Sequence, residues 1–159
     1  MRANFHENVA TVFHIGHIPF APGTFGSLPG LALAWLLIWV KNSYFSLPWG
    51  YIFLLLSLFV LSYFAVYCID KTEKKWSTHD PKSIVIDEVL GQALTLVLFE
   101  PSIKIFCFGF LLFRFFDILK PWPIRLIDRR VNTPFGTLAD DLVAGFFAAA
   151  CLKILLPWL

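Results

Sequence analysis

Apolar residues along this chain fall into five blocks, at roughly 24–40, 48–69, 84–99, 105–119 and 142–158, with short polar stretches between them. A helix crossing a bilayer needs about 20 mostly apolar residues, within a range of about 17–25. The 48–69 block meets that outright. The first, fourth and fifth blocks lie near the lower limit, and 84–99 is short enough to require tilt, local thinning or a partly interfacial position. The pattern predicts an all-α, multi-pass membrane helical bundle of about five transmembrane or partly embedded helices, or four if the third only dips in. No internal repeat or low-complexity linker interrupts it, and residues 1–159 read as a single domain.

Composition supports the membrane class. Hydrophobic residues make up 58% of the 159, with 18 Phe and 6 Trp, against about 45–50% apolar content in soluble domains. The net charge of +2 is too small to suggest nucleic acid as a partner. Cys68, Cys107 and Cys151 stand in three different blocks without CxxC spacing, which reads as structural cysteines rather than a disulfide framework. The stretch 1–22 lacks the apolar core of a cleaved leader.

Charge places the connections. The 41–47 and 100–104 segments carry one lysine each, Lys41 and Lys104. The 70–83 segment holds Lys71, Lys74, Lys75 and Lys82, and the 120–141 segment holds Lys120, Arg125, Arg129 and Arg130. Alternation over five spans then puts the N-terminus and both basic loops on one side, the cytoplasmic one by the positive-inside rule. Four polar motifs are expected to converge on that side: 17–27, 80–88, 114–125 and 137–141.

Five of the eleven acidic residues sit at the mouths of apolar blocks: Asp87, Glu88, Asp117, Asp140 and Asp141. A carboxylate in a bilayer costs about 2.5–3.5 kcal/mol on insertion scales, so such residues rarely persist without a role. Oxygen ligands at one level suit a hard cation such as Mg²⁺. The plainer account is helix-dipole and capping chemistry; Thr137 with Asp140 resembles a capping box. Two doubled acids plus Asp117 exceed what capping requires. Asp87, Glu88, Asp140 and Asp141 are the expected metal ligands, with Glu88 as ligand or base. Asp128, alone in a basic loop, is expected to lie outside the site.

Cationic and small residues complete the picture. Arg114 and Asp117, three apart, share a helix face, either as a plain ion pair or with Asp117 on the metal and Arg114 on a phosphate. Lys120 and Arg125, flanking Pro121 and Pro123, fall at headgroup level beside Trp122. In 21–27, Gly23 and Gly26 allow close backbone approach and Thr24 and Ser27 offer hydroxyls, so the turn could hold an anion or simply cap a helix. Ala144, Gly145, Ala148 and Ala149 form a stripe for close helix packing. Known phosphate motifs are missing: no Gly-Lys-Ser/Thr, and Cys107 to Arg114 is one residue too long for a cysteine phosphatase loop.

With these residues assembled, the chain resembles the bacterial phosphatidylglycerophosphatase A family. The matching strings are Pro-Phe-Ala-Pro-Gly-Thr-Phe-Gly-Ser (19–27), Ser-Ile-Val-Ile-Asp-Glu-Val-Leu-Gly (83–91), Phe-Arg-Phe-Phe-Asp-Ile-Leu-Lys-Pro-Trp-Pro-Ile-Arg (113–125) and Ala-Asp-Asp-Leu-Val-Ala-Gly (139–145), in family order. The resemblance implies a Mg²⁺-dependent phosphatase of the bacterial inner membrane, with its site facing the cytoplasm. Its substrate would be phosphatidylglycerophosphate and its product phosphatidylglycerol. It implies catalytic roles for Asp87, Glu88, Asp117 and Asp141, and phosphate binding by Gly23, Thr24, Gly26, Ser27, Arg114, Lys120 and Arg125. One departure stands out: where the family usually carries Gly-Gly-x-Gly, this chain has Asn132-Thr-Pro-Phe-Gly136.

The competing class is a small cation transporter or channel with a carboxylate-lined path. Transport sites lie near the midplane, often on interrupted helices in repeated halves. Acids gathered at one interface without a repeat favour an enzyme. A purely structural membrane subunit would leave the acidic pairs idle.

Overall fold

The structure, a computed structural model, describes residues 4–159; residues 1–3, part of the N-terminal stretch read above, lie outside the described residues. Among the described residues it is helical throughout, with seven α-helices, two short 3₁₀ turns and no strand. The helices are α1 (Phe5–Ala10), α2 (Pro22–Tyr44), α3 (Trp49–Trp76), α4 (Ile86–Leu96), α5 (Ile103–Leu119), α6 (Ile124–Arg130) and α7 (Pro134–Leu155). Five of them take up the five apolar blocks. Of these, α2 and α3 are long and apolar enough to cross a membrane.

Two helix starts differ from the sequence reading. Helix α2 begins at Pro22, so Gly23–Ser27 are helical turns rather than a loop leading into one. Helix α7 begins at Pro134 rather than near 142, which moves Asp140 and Asp141 from a helix mouth to a point about two turns inside the helix. Thr137 therefore caps nothing. The cap is Thr133, whose hydroxyl accepts from the Gly136 backbone N–H at 3.1 Å, with Pro134 in the first helical position. The Thr-Pro pair that departs from the family's glycines is thus a helix-start signal. Gly136 is retained because a Cβ there would collide with the Val131 carbonyl.

Helix α4 sits at the centre, with eight of its eleven residues buried, packed between α2 and α7. Small residues permit that closeness. A Cβ on Gly91 would come within 2.6 Å of the Phe113 ring and 2.7 Å of the Asp141 carbonyl oxygen. One on Gly30 would come within 2.6 Å of the Val89 carbonyl oxygen, and Gly145 presses on the Gly91 carbonyl. The Thr95 hydroxyl ties the same seam to the Gly91 and Gly145 carbonyls at 3.0 and 3.3 Å. Leu54, Leu58, Leu96 and Leu152 fill the core toward one end. That end closes on Lys41 with Glu100 at 3.3 Å, and on Lys104 with the Leu159 carbonyl at 2.6 Å. Large apolar side chains such as Phe59, Tyr63, Leu111 and Phe146 stand exposed around the bundle, the kind of surface that marks contact with a membrane or another protein.

The opposite end is braced by the N-terminal segment. Glu7 is buried against the end of α3, paired with Lys75 at 2.6 Å and accepting from the Trp76 indole at 2.9 Å. Its other oxygen accepts from the Asn4 backbone at 2.8 Å, as in a capping box. The Lys75 contact, opposed by burial and aided by Asn4 and Trp76, holds the Glu7 carboxyl below its ordinary pKa. The Val85 N–H then donates to the Ala10 carbonyl at 3.0 Å, and Gly16 lies on the Ser83 carbonyl. This brace fixes the start of α4, where the first acidic pair stands.

Candidate active site

The starts of α2, α4 and α7 and the end of α5 meet around one polar cavity of about 290 Å³. Asp87 and Glu88 enter it from the first turn of α4, Arg114 and Asp117 from the last turns of α5, and Asp140 and Asp141 from α7. Gly23 forms part of its wall. The expected convergence of four polar segments is therefore present in the fold. The segment 79–84, Lys120, Asp128 and Val131 border the same cavity.

Within it the acids fall into separate groups. Carboxylate oxygens of Asp87, Glu88 and Asp141 all lie within 4.8 Å of one another. Asp87 and Asp141 are buried, and none of the three forms a salt bridge among the described residues. Asp87 Oδ1 accepts only locally, from the Glu88 N–H at 3.1 Å, and Glu88 Oε2 is buried without a partner. Asp117 instead pairs with Arg114 one turn away. Arg114 also donates to the Ser27 hydroxyl at 3.4 Å, and its Nε is left without a partner. Gly23 lets Glu88 and the guanidinium share a wall, since a Cβ there would meet Glu88 Oε1 at 2.5 Å and Arg114 Nη1 at 3.2 Å.

Asp140 belongs to a third group and departs from its expected place among the metal ligands. Lys120 pairs with both Asp140 and Asp128. Successive helix residues diverge by about 100°, which directs Asp141 into the trio and its neighbour Asp140 to Lys120. Lys120 reaches both because it caps α5 in the left-handed region, φ 42°. Burial alone would lower its pKa; the bonds to Asp128 and Asp140 outweigh burial and raise it above the ordinary lysine value.

Several expected phosphate ligands stand elsewhere. Gly26 packs on Val85, where a Cβ would meet the side chain at 2.6 Å, so it serves helix packing. Ser27 points into the bundle, donating to the Gly23 carbonyl at 2.8 Å. Neither Thr24 nor Arg125, exposed on α6, lines the cavity. Asp128 moves the other way, from outside the site into it. Asp80 and Lys82, from the 80–88 motif expected on this side but given no role there, also line the cavity, as does the preceding His79. Lys82 is exposed on the rim and forms no salt bridge among the described residues, leaving its ammonium available to an anion. Its position one residue after Pro81 and five before Asp87 was the available sequence signal.

An acid-floored, cation-rimmed cavity at one end of an apolar bundle suits chemistry on an anionic group at a membrane surface. Residues 8–156 match the family model for PgpA, Phosphatidylglycerophosphatase A. Over 145 residues the chain is 36% identical to Phosphatidylglycerophosphatase A of Escherichia coli strain K12, covering 91% of this chain and 79% of that one. Over 155 residues it is 37% identical to Phosphatidylglycerophosphatase A of Haemophilus influenzae strain Rd, covering 95% and 88%. No solved structure matches it. The class is that of membrane-associated phosphatases. Within that class, the chain belongs to the phosphatidylglycerophosphatase A family.

Proposed function

We propose that this chain hydrolyses phosphatidylglycerophosphate to phosphatidylglycerol and phosphate in the cavity just described, with Mg²⁺ held by Asp87, Glu88 and Asp141. The reaction follows from family membership. The cation rests on one observation: three carboxylates within 4.8 Å of each other that form no salt bridge with a lysine or arginine among the described residues. Buried charges are paired or coordinate metals, and an all-oxygen donor set of this kind suits a hard divalent ion. The unpartnered Glu88 Oε2 is a ligand position left over by the fold. When bound, such an ion offsets phosphomonoester charge and makes water a better nucleophile.

The chain's own groups supply the rest. Lys120, Arg114 and Lys82 surround the cavity with cations that bind phosphate oxygens. Asp117 holds Arg114 in place, and Asp140 with Asp128 holds Lys120. Of the trio, Glu88 alone is partly exposed, and its other oxygen, Oε1, at the wall formed by Gly23, is the one left to accept a proton from an attacking water. The two acyl chains stay in the bilayer while the headgroup enters.

The same reading places α2, α3, α4, α5 and α7 in the membrane, with the cavity end facing the cytoplasm. Both lysine- and arginine-rich loops border the cavity, while the far end carries Lys41 and Lys104. A cation path is disfavoured by the same distribution, because the acids of the cavity stop at one end and apolar core fills the remainder. Phosphate release by the purified protein from defined lipids, with and without Mg²⁺, is the test. Full turnover in excess chelator overturns the metal; turnover of other lipid phosphates but not this one overturns the substrate. Labelling of a Lys75→Cys probe from outside intact cells overturns the orientation.

A further inference from the structure

A diacyl substrate must leave the polar cavity through an apolar exit, and the seam between α2 and α5 provides one. On α5 the residues Ile103, Cys107, Phe110, Arg114 and Ile118 recur at spacings of three and four, so they share one helix face. The upper members of that row, Arg114 and Ile118, line the carboxylate cavity beside Ala21, Pro22 and Gly23 of α2. The lower members, Ile103 and Cys107, line a second cavity of about 410 Å³, closed on the α2 side by Trp35. Phe110 lies between the two on the same face, half-buried.

Helix α2 presents a matching row. Ser27 is held toward α5 by its contact with Arg114, whereas its neighbour Gly26 faces Val85, the residue before α4. Thr24, Leu28, Leu31 and Trp35, at spacings of four, three and four, continue the α5-facing side away from the polar cavity. Leu28 and Trp35 are 44% and 52% exposed, and Ile118 at the cavity lip is 66% exposed. From Thr24 to Trp35 at 1.5 Å per residue the seam runs about 16 Å, close to half of a hydrocarbon core of about 30 Å. One leaflet's depth of apolar wall thus begins at the phosphate-binding arginine.

We propose that this α2–α5 seam is the acyl-chain groove of the enzyme, admitting its lipid sideways from the leaflet that carries the site. The inference rests on the lipid-phosphatase reading above, which supplies the occupant: a phosphate held at Arg114 and Lys120 must have its chains leave over apolar wall, and the α5 face that brings Arg114 and Ile118 to that cavity brings Ile103 and Cys107 to the second one. A second apolar groove, between α3 and α7 at Phe59, Tyr63 and Phe135, lies across α7 from the carboxylates and is the natural rival.

A photoreactive phosphatidylglycerophosphate bearing a diazirine near the end of one chain distinguishes them. The full chain in lipid nanodiscs is irradiated with this probe, adducts are mapped by mass spectrometry, and phosphate release is measured on the same preparation. Adducts on 24–35 and 103–118 that unlabelled substrate competes away are expected. Adducts centred on Phe59, Tyr63 and Phe135, or spread over the whole lipid-facing surface, overturn the seam while phosphate release leaves the parent reading standing. Absence of phosphate release overturns the parent reading instead. As a second measurement, Leu31→Trp should raise KM for long-chain substrate about tenfold and collapse the KM ratio between long-chain and dihexanoyl substrates. An equal change for both chain lengths overturns the groove.

Discussion

Asp140 and Asp141 are neighbours in sequence and opposites in circumstance. Asp140 is neutralised by Lys120, which it shares with Asp128. Asp141 joins Asp87 and Glu88 in a trio that no cation among the described residues pairs with. One helix step of about 100° separates a charge the protein has already balanced from one it has left open. The balanced acid positions a lysine; the unbalanced acid is the one on which the proposed Mg²⁺ site depends. The doubled carboxylate of α7 is therefore two devices side by side rather than one strengthened ligand.

The contrast can be broken most sharply at Asp141. Asp141→Asn keeps shape and removes charge, and turnover should fall by about 10²-fold or more, at or beyond the upper end of losses seen when a metal ligand's partners are removed. In chelator the variant should melt no lower than the parent, because like-charge repulsion in the trio is relieved. A variant with near-parental turnover makes the trio structural.

Mg²⁺ itself should raise the melting temperature of the parent and not that of Asp141→Asn, since a ligand that binds only the folded state stabilises by mass action, about 2.7 kcal/mol at a hundred times Kd. Equal shifts in both proteins would place the ion elsewhere.

Lys120→Met attacks the other side. It strands Asp140 and Asp128, and the cost should be about 1–3 kcal/mol, below the roughly 3–5 kcal/mol of a fully buried broken pair because Lys120 and Asp128 keep some solvent. Adding Asp140→Asn should recover part of that loss in urea melts. No recovery would mean that Lys120 does not act through Asp140.

Glu7→Gln tests a balanced acid remote from the chemistry. The folded-state pKa of Glu7 is lowered, so its charge contributes stability above the ordinary glutamate range and loses it as pH falls through the lowered folded value. The gap between parent and variant should be small near neutrality and close in acid. A gap that widens on acidification contradicts the pairing with Lys75. Smallest of all, Asp70→Asn, which loses only an exposed contact to Lys74 at 2.7 Å, should leave turnover and melting where they were.

The long helices and the acids were legible because both signals are local: apolar blocks give length, and a carboxylate in such a block has few ordinary uses. What escaped depended on partners distant in sequence. The assignment of Asp140 to Lys120 follows from how α5 ends at a left-handed residue, which its composition does not announce. Helices α1 and α6, of six and seven residues, are too short to show an apolar period. The start of α7 was readable at Thr133-Pro134, yet the apolar run that begins later masked it. Thr24, Gly26 and Ser27 looked like an anion cradle because small residues serve close packing and ligand approach equally well.

The bond from Val85 to Ala10 also bears on how the molecule is made. Ala10 and Val85 are separated by 75 positions, the difference of their numbers, and chains are synthesised at about 5–20 residues per second. The opening segment therefore waits about 4–15 seconds after its own emergence before its docking partner exists. During that interval α2 and α3, the two helices long and apolar enough to cross a membrane, are made without it. The segment around Ala10 is thus kept waiting before it can dock, and the cavity end of the bundle is completed only once Val85 has followed it.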